Sequence, residues 1–191
     1  MKFLYFFFTC LVLTSCVSDD DNLIDPELKK VVGFYAIKSF ESDQAVDLNG
    51  DGITSTDLKS EINDFDYYDL DLRPNIEGQV RLQLVSFIFP ATNLRFQNPA
   101  YPDGNTNFTS SIFSTIYVFS NDQIILENNS FEVYDYVDSE NRITNLRTDD
   151  VITVLDNDQL RISISQEYYD YSTAQWLALD IDVVYEKLNF E

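Results

Sequence analysis

Histidine is absent from this 191-residue chain, and cysteine occurs only twice. Without histidine there is no Ser-His-Asp triad and no usual metalloprotease zinc site. Cys10 lies inside an apolar run and Cys16 at its end, so the remainder holds no thiol for a nucleophile, for zinc or for a disulfide. The five glycines form neither GxGxxG nor a phosphate-cradling GK[ST] loop. Basic residues number 12 against 33 acidic ones, a net charge of −21 that repels phosphate backbones and makes nucleic acid a poor partner. In a chain so rich in acids, any two carboxylates picked as a glycosidase pair would be arbitrary, and an enzyme is not expected.

Long apolar runs are missing too, apart from the first residues, MKFLYFFFTCLVLTSC. Lys2 supplies one positive charge, and Phe3 to Leu13 would reach only about 16 Å as a helix, against a hydrocarbon core of about 30 Å. A positive start, a short apolar core and small residues before Cys16 describe a signal peptide rather than a span. The residues Leu13-Thr14-Ser15-Cys16 resemble the lipobox of bacterial lipoproteins. That resemblance implies cleavage after residue 15 and acylation of Cys16, with more than one chain because a single acyl chain holds only marginally. The acidic run Val17-Ser18-Asp19-Asp20-Asp21 resembles the surface-export signal of Bacteroidetes lipoproteins. It implies an outer-membrane protein, anchored in lipid through Cys16 and facing the cell exterior. A flexible charged tether is the plainer reading of the same run.

Loss of residues 1–15 removes Lys2 and no acid, leaving a charge of −22 on a length that suits one domain. With 45 % apolar and 15 % aromatic residues, that domain can build a core. The expected division is a signal peptide over 1–15, an acidic tether and lead-in over 16–30, and a β domain over 31–191. Pro26 to Lys30 suits a helical turn, because proline lacks only an N–H that is free there anyway. Val31 to Phe40 is strand-like, with Gly33 marking a bulge or close approach. Ser55 to Asp64 suits a helix with Leu58, Ile62 and Phe65 on one stripe.

From Gly78 onward the apolar period is two. Strands are expected to Phe89, over 112–119, 123–126, 131–137, 148–155 and 159–165, and from Leu177 to Tyr185. Pro90, Pro99 and Pro102 fall in an extended connection, Asn121-Asp122 and Asn128-Asn129 in turns, and Asp156-Asn157-Asp158 in a hairpin. About eight strands, one short helix near the N-terminus and no βαβ rhythm give an all-β domain, a single antiparallel barrel or closed sandwich. Tyr67, Tyr68, Tyr168, Tyr169, Tyr171 and Trp176 are candidates for stacking on sugars, against an ordinary half-buried role.

The segments Gly33-Phe34-Tyr35, Val46 to Glu61 (VDLNGDGITSTDLKSE) and Val183 to Lys187 (VVYEK) resemble those of lipocalin-like Bacteroidetes surface lipoproteins. The resemblance implies a barrel that holds a small apolar molecule or a glycan. A structural or protein-interaction lipoprotein with a solid core is the alternative.

Within that segment, Asp47, Asn49 and Asp51 place oxygen ligands at positions 1, 3 and 5 of a calcium-type loop. Gly52 makes the sharp turn, Ile53 offers its carbonyl, and Ser55 is a direct or water-mediated ligand or a helix cap. Position 12 of an EF-hand is Leu58 here, so the closing carboxylate falls to Asp57 first and Glu61 second. A calcium ion clipping the first strand to the helix is therefore expected. An Asp/Asn/Gly turn that caps its own backbone is the alternative.

Overall fold

The computed structural model describes residues 26–62, 65–67, 69–74, 83–94, 107–137, 140–156 and 158–189. The expected signal peptide and Cys16, together with Tyr68, lie outside them, as does the side chain of Tyr67. Helix α1 spans Pro26–Val31, and a single-turn helix α2 spans Leu58–Glu61. Eleven strands follow in chain order: β1 Gly33–Val46, β2 Ser55–Asp57, β3 Asp69–Arg73, β4 Leu84–Asn93, β5 Asn107–Ser120, β6 Gln123–Leu126, β7 Ser130–Val137, β8 Glu140–Thr148, β9 Val151–Leu155, β10 Gln159–Asp170 and β11 Gln175–Lys187.

They make a closed antiparallel barrel of about eight strands, lipocalin-like in general form. Neighbours run β11-β1-β3-β4-β5-β6-β9-β10, and β10 returns to β11 to shut the ring. The β6–β9 and β7–β8 ladders are two halves of one long bent hairpin. Closure leaves no long strand edge at the first and last strands, the usual weak point of a meander.

Alternation drives the closure. Leu160, Ile162 and Ile164 of β10 and Leu179, Ile181, Val183 and Tyr185 of β11 point inward and are buried, with Arg161, Ser163, Asp180 and Asp182 outside. Inside, rings follow one another across the barrel. Phe40 meets Phe65 at 5.4 Å and Phe89 at 6.2 Å, Phe89 meets Phe87 at 5.8 Å and Phe113 at 6.5 Å, and Phe113 meets Phe131 at 5.3 Å. Each such ring contributes about 1.5–3 kcal/mol on burial. Asn121 and Asp122 both adopt left-handed backbone (φ 52° and 57°), the geometry of a two-residue hairpin whose twist matches its strands.

Three expectations need correction. The helix over 55–64 shrinks to the four residues of α2: Ser55–Asp57 pairs with β1, and Ile62 is extended (φ −112°, ψ 115°). Leu58, Ile62 and Phe65 still all reach the core, Ile62 from extended backbone and Phe65 from a 3-10 turn. Pro90 lies inside β4, not in a connection. It sits beyond the β3 ladder, where no N–H is needed, and its carbonyl accepts from Gln166 Nε2 and Tyr168 OH, each at 2.9 Å. The strand expected over 148–155 breaks at Asp149-Asp150, and β3 and β8 were not foreseen as separate strands.

Candidate functional site

At one end of the barrel β1 runs out into the loop Asp47–Ile53, and every polar side chain of that loop accepts from the loop's own amides. Asp47 is buried, with Oδ1 accepting from the Gly50 amide (2.7 Å) and Oδ2 from the Gly52 amide (3.0 Å). Asn49 Oδ1 accepts from the Asp51 amide (2.9 Å), and Asp51 Oδ1 from the Ile53 amide (2.7 Å). Gly50 and Gly52 hold φ of 76° and 84°, a region costly for any side chain. These bonds are those of successive Asx turns.

Two partners outside the loop fix it. Asp170, at the end of β10, accepts from the Asp47 amide (2.9 Å), while the Asp47 carbonyl accepts from the Tyr171 amide (2.8 Å). Asp170 also takes the Ser172 and Thr173 amides and hydroxyls at 2.6–3.2 Å. Burial alone would raise its pKa, but the bonds from Thr173, Asp47 and Ser172 outweigh it and hold the carboxyl below its usual range. The second partner is Glu61, on α2. Its Oε2 accepts from the Leu48 amide (3.1 Å), and the side chain is buried. Burial pushes its pKa up, and the nearby Asp51 and Asp47 charges add to this against the Leu48 and Asn49 amides.

The structure thus brings Asp47, Asn49, Asp51 and Glu61 around one loop. It places Asp57 elsewhere, exposed and capping α2 through the Lys59 amide (3.0 Å), with Ser55 Oγ turned toward Asp57. Among the described residues, no three His, Cys, Asp or Glu side chains are gathered as a metal site. The donor chemistry nevertheless suits a hard cation, because each loop carboxylate oxygen keeps a lone pair beyond the amide it accepts.

The opposite end is closed by α1, whose Leu28 and Val31 are buried and whose Val31 carbonyl accepts from Tyr35 OH (2.5 Å). Lys187 crosses Gly33 to reach the Lys30 carbonyl (2.6 Å), so closely that a Cβ there would meet its Cε at 2.9 Å. Beside α1 a groove of about 270 Å³ opens between the β5–β6 and β9–β10 turns. Val31, Tyr35, Phe119, Val154, Leu155 and Leu160 line it, and Glu27, Asp122, Asp156 and Asp158 stand with Lys30 around it. The sequence reading missed this groove, whose walls come from one helix and two turns far apart in the chain.

The aromatic candidates divide. Tyr168 is inside the barrel, whereas Tyr169 lies edge-on to Tyr171 (5.0 Å) and Trp176 (5.7 Å) on its outer wall. Arg142 covers a face of Trp176 at 4.1 Å, and Tyr171 lies against Gly50. Comparison with protein-family models, with curated proteins and with solved structures returned no match.

Proposed function

We propose that the chain is a non-enzymatic, lipid-anchored binding module on the outer face of the outer membrane, holding a small apolar molecule or a glycan. The observation that carries this reading is the groove beside α1. Its apolar walls suit a hydrocarbon or sugar-ring body, and its carboxylates suit hydroxyl donors. Calorimetry against a panel of lipids and oligosaccharides should find a saturable ligand whose binding disappears in Val154→Arg. If nothing in the panel binds, the alternative stands: a structural or protein-interaction lipoprotein. The packed phenylalanines inside the barrel favour that second reading.

The anchor is tested apart from the groove. Radiolabelled palmitate is expected in the wild type, and its persistence in Cys16→Ala would overturn the lipidation. Protease shaving of intact cells reports which face the protein occupies.

We also infer that calcium occupies the Asp47–Ile53 loop, held by Asp47, Asn49, Asp51 and the Ile53 carbonyl, with Glu61 in place of Asp57 as the closing carboxylate. What supports this is Glu61 itself: a buried carboxylate bonded to the loop at the Leu48 amide, where the Asp51 and Asp47 charges add to its raised pKa and a divalent cation would offset them. Its role would be structural, joining the end of β1 to α2.

A further inference from the structure

The ring of strands closes, but among the described residues one stretch of β5 has a neighbour on one side only, along a seam. β5 pairs with β4 from Asn107 to Ile116, but with β6 only from Tyr117 to Ser120. Beyond that the chain bends away into β7, and among the described residues no ladder joins β5 to β7. Backbone parity fixes what the free edge presents. The Tyr117 and Phe119 amides donate toward Gln83 on the β4 side (3.0 and 3.2 Å), while the Ile116 carbonyl accepts from Glu127 on the β6 side (2.9 Å). Even-numbered residues of β5 therefore direct their N–H and C=O away from β4, and this alternation runs down an antiparallel strand.

Ser110 and Ile112 thus turn their main chain toward a groove of about 330 Å³, which Phe113, Glu132 and Tyr134 also line. Apolar side chains flank it in the open: Ile112 is 67 % exposed, Tyr134 46 % and Ile143, opposite Tyr134 in the ladder, 58 %. Behind the seam the barrel is sealed by the Phe113–Phe131 ring pair. Glu132 stands at the wall, accepting from Tyr134 OH at 3.0 Å.

We propose that this seam binds an extended, basic segment of a partner protein, which adds to β5 as an extra strand. An unpaired strand edge calls for alternating carbonyls and amides at the β repeat, which an extended polypeptide supplies. Ile112 and Tyr134 favour apolar side chains at alternate positions of that segment, and Glu132 favours lysine or arginine. A second copy of this chain fits poorly, because each copy carries −21. The seam lies on the wall, away from the groove beside α1, and the two readings stand or fall separately.

The test uses the purified full chain and a fluorescein-labelled peptide of alternating valine and lysine, beside its analogue N-methylated at every second residue. Fluorescence anisotropy should show saturable binding of the parent, weakened about tenfold by N-methylation and about tenfold by Ile112→Lys. Ile125→Lys adds the same charge to β6 at a residue that does not line the seam and should leave binding unchanged. Thermal melts check the fold, and if Ile112→Lys fails to fold, Glu132→Lys takes its place with the same expected loss. Equal binding of both peptides would overturn the proposal, since charge alone would then explain it. So would no binding of the parent, or a dimer in sedimentation velocity that the seam variant dissolves.

Discussion

The two ends of the barrel are closed by opposite chemistry. At the α1 end the buried groups are Leu28, Val31, Tyr35 and Tyr117, and the tyrosine hydroxyls reach carbonyls of Val31 and Arg73. At the other end lie Asp47, Glu61, Asp135 and Asp170, all the buried carboxylates among the described residues. Even there, two aspartates with almost no exposed surface behave differently, Asp135 lying the deeper of the two. Asp170 gathers amides and hydroxyls from three residues and is held below its usual pKa. Asp135 takes one amide (Thr92, 3.1 Å) and one hydroxyl (Thr144, 3.1 Å), with Arg142 at 3.7 Å, and burial pushes it up to about 6. Nearby, Thr92 Oγ1, Gln166 Oε1 and Arg142 Nη1 have no hydrogen-bond partner among the described residues. The lesson is that donors must offset depth: five hold the shallower Asp170 down, while two leave the deeper Asp135 raised.

The largest effect expected from breaking this contrast is at Asp170. Asp170→Ala leaves the Asp47, Ser172 and Thr173 donors without their acceptor and frees the calcium-type loop from β10. Urea unfolding should show a loss of roughly 3–5 kcal/mol. A loss below about 1 kcal/mol would mean the donors find other acceptors.

Asp135 should act in the opposite sense, and only over a window of pH. Below about pH 4 it is protonated folded and unfolded alike, so it costs nothing. As pH rises through about 6, the folded protein must bury a charge that the unfolded chain exposes, and stability falls. The cost is at most about 3 kcal/mol, from a shift of about two pKa units. The difference between wild type and Asp135→Asn, measured by urea midpoints from pH 4 to 8, isolates this from Glu61 and Asp170. Wild type should lose ground to the variant as pH rises. A difference that stays flat would place the raised pKa elsewhere.

Calcium sharpens the comparison at the same end, since it would turn a repulsive cluster into a bound one. At 100 times its dissociation constant the ion should stabilise the wild type by about 2.7 kcal/mol. Asp47→Ala and Glu61→Gln should lose the rise in Tm, and Asp57→Ala, which removes only a helix cap, should keep it. A response abolished by Asp57→Ala and retained by Glu61→Gln would reverse the assignment. Identical melts with calcium and with chelator would leave the loop as a self-capped turn.

Much of this architecture was legible because alternation is local. The inward rows of β10 and β11 and the Asn121-Asp122 turn follow from period and turn chemistry alone. The turn at DLNGDG was legible for the same reason, the spacing of its side-chain acceptors being a property of one short segment. That Glu61, and not Asp57, bonds to the loop backbone was not, because it depends on where a one-turn helix stops. Asp170 carried a readable signal, an aspartate followed two and three residues later by Ser172 and Thr173, which is a turn-capping pattern. Its grip on Asp47, 123 residues away, is tertiary and left no such trace. The bend that opens the seam beside β5 is likewise a packing outcome, set by which rings close the wall.

The smallest predicted effect separates two tyrosines on the aromatic side of the comparison. Tyr35 and Tyr185 are both buried and differ in one hydrogen bond: Tyr35 OH reaches the Val31 carbonyl, while Tyr185 OH has no hydrogen-bond partner among the described residues. Burial pushes both phenols above their usual pKa, so both stay protonated and neither brings charge to the interior. Tyr35→Phe should therefore cost about 1 kcal/mol, the net worth of an ordinary hydrogen bond, and should loosen α1, which that bond ties to β1. Tyr185→Phe deletes an unsatisfied hydroxyl without changing the ring, and should be neutral or stabilise by up to about 1 kcal/mol. Paired urea titrations of the two variants decide the matter. A cost at Tyr185 equal to that at Tyr35 would mean its hydroxyl is satisfied in solution, and the α1 end would then be the better hydrogen-bonded of the two.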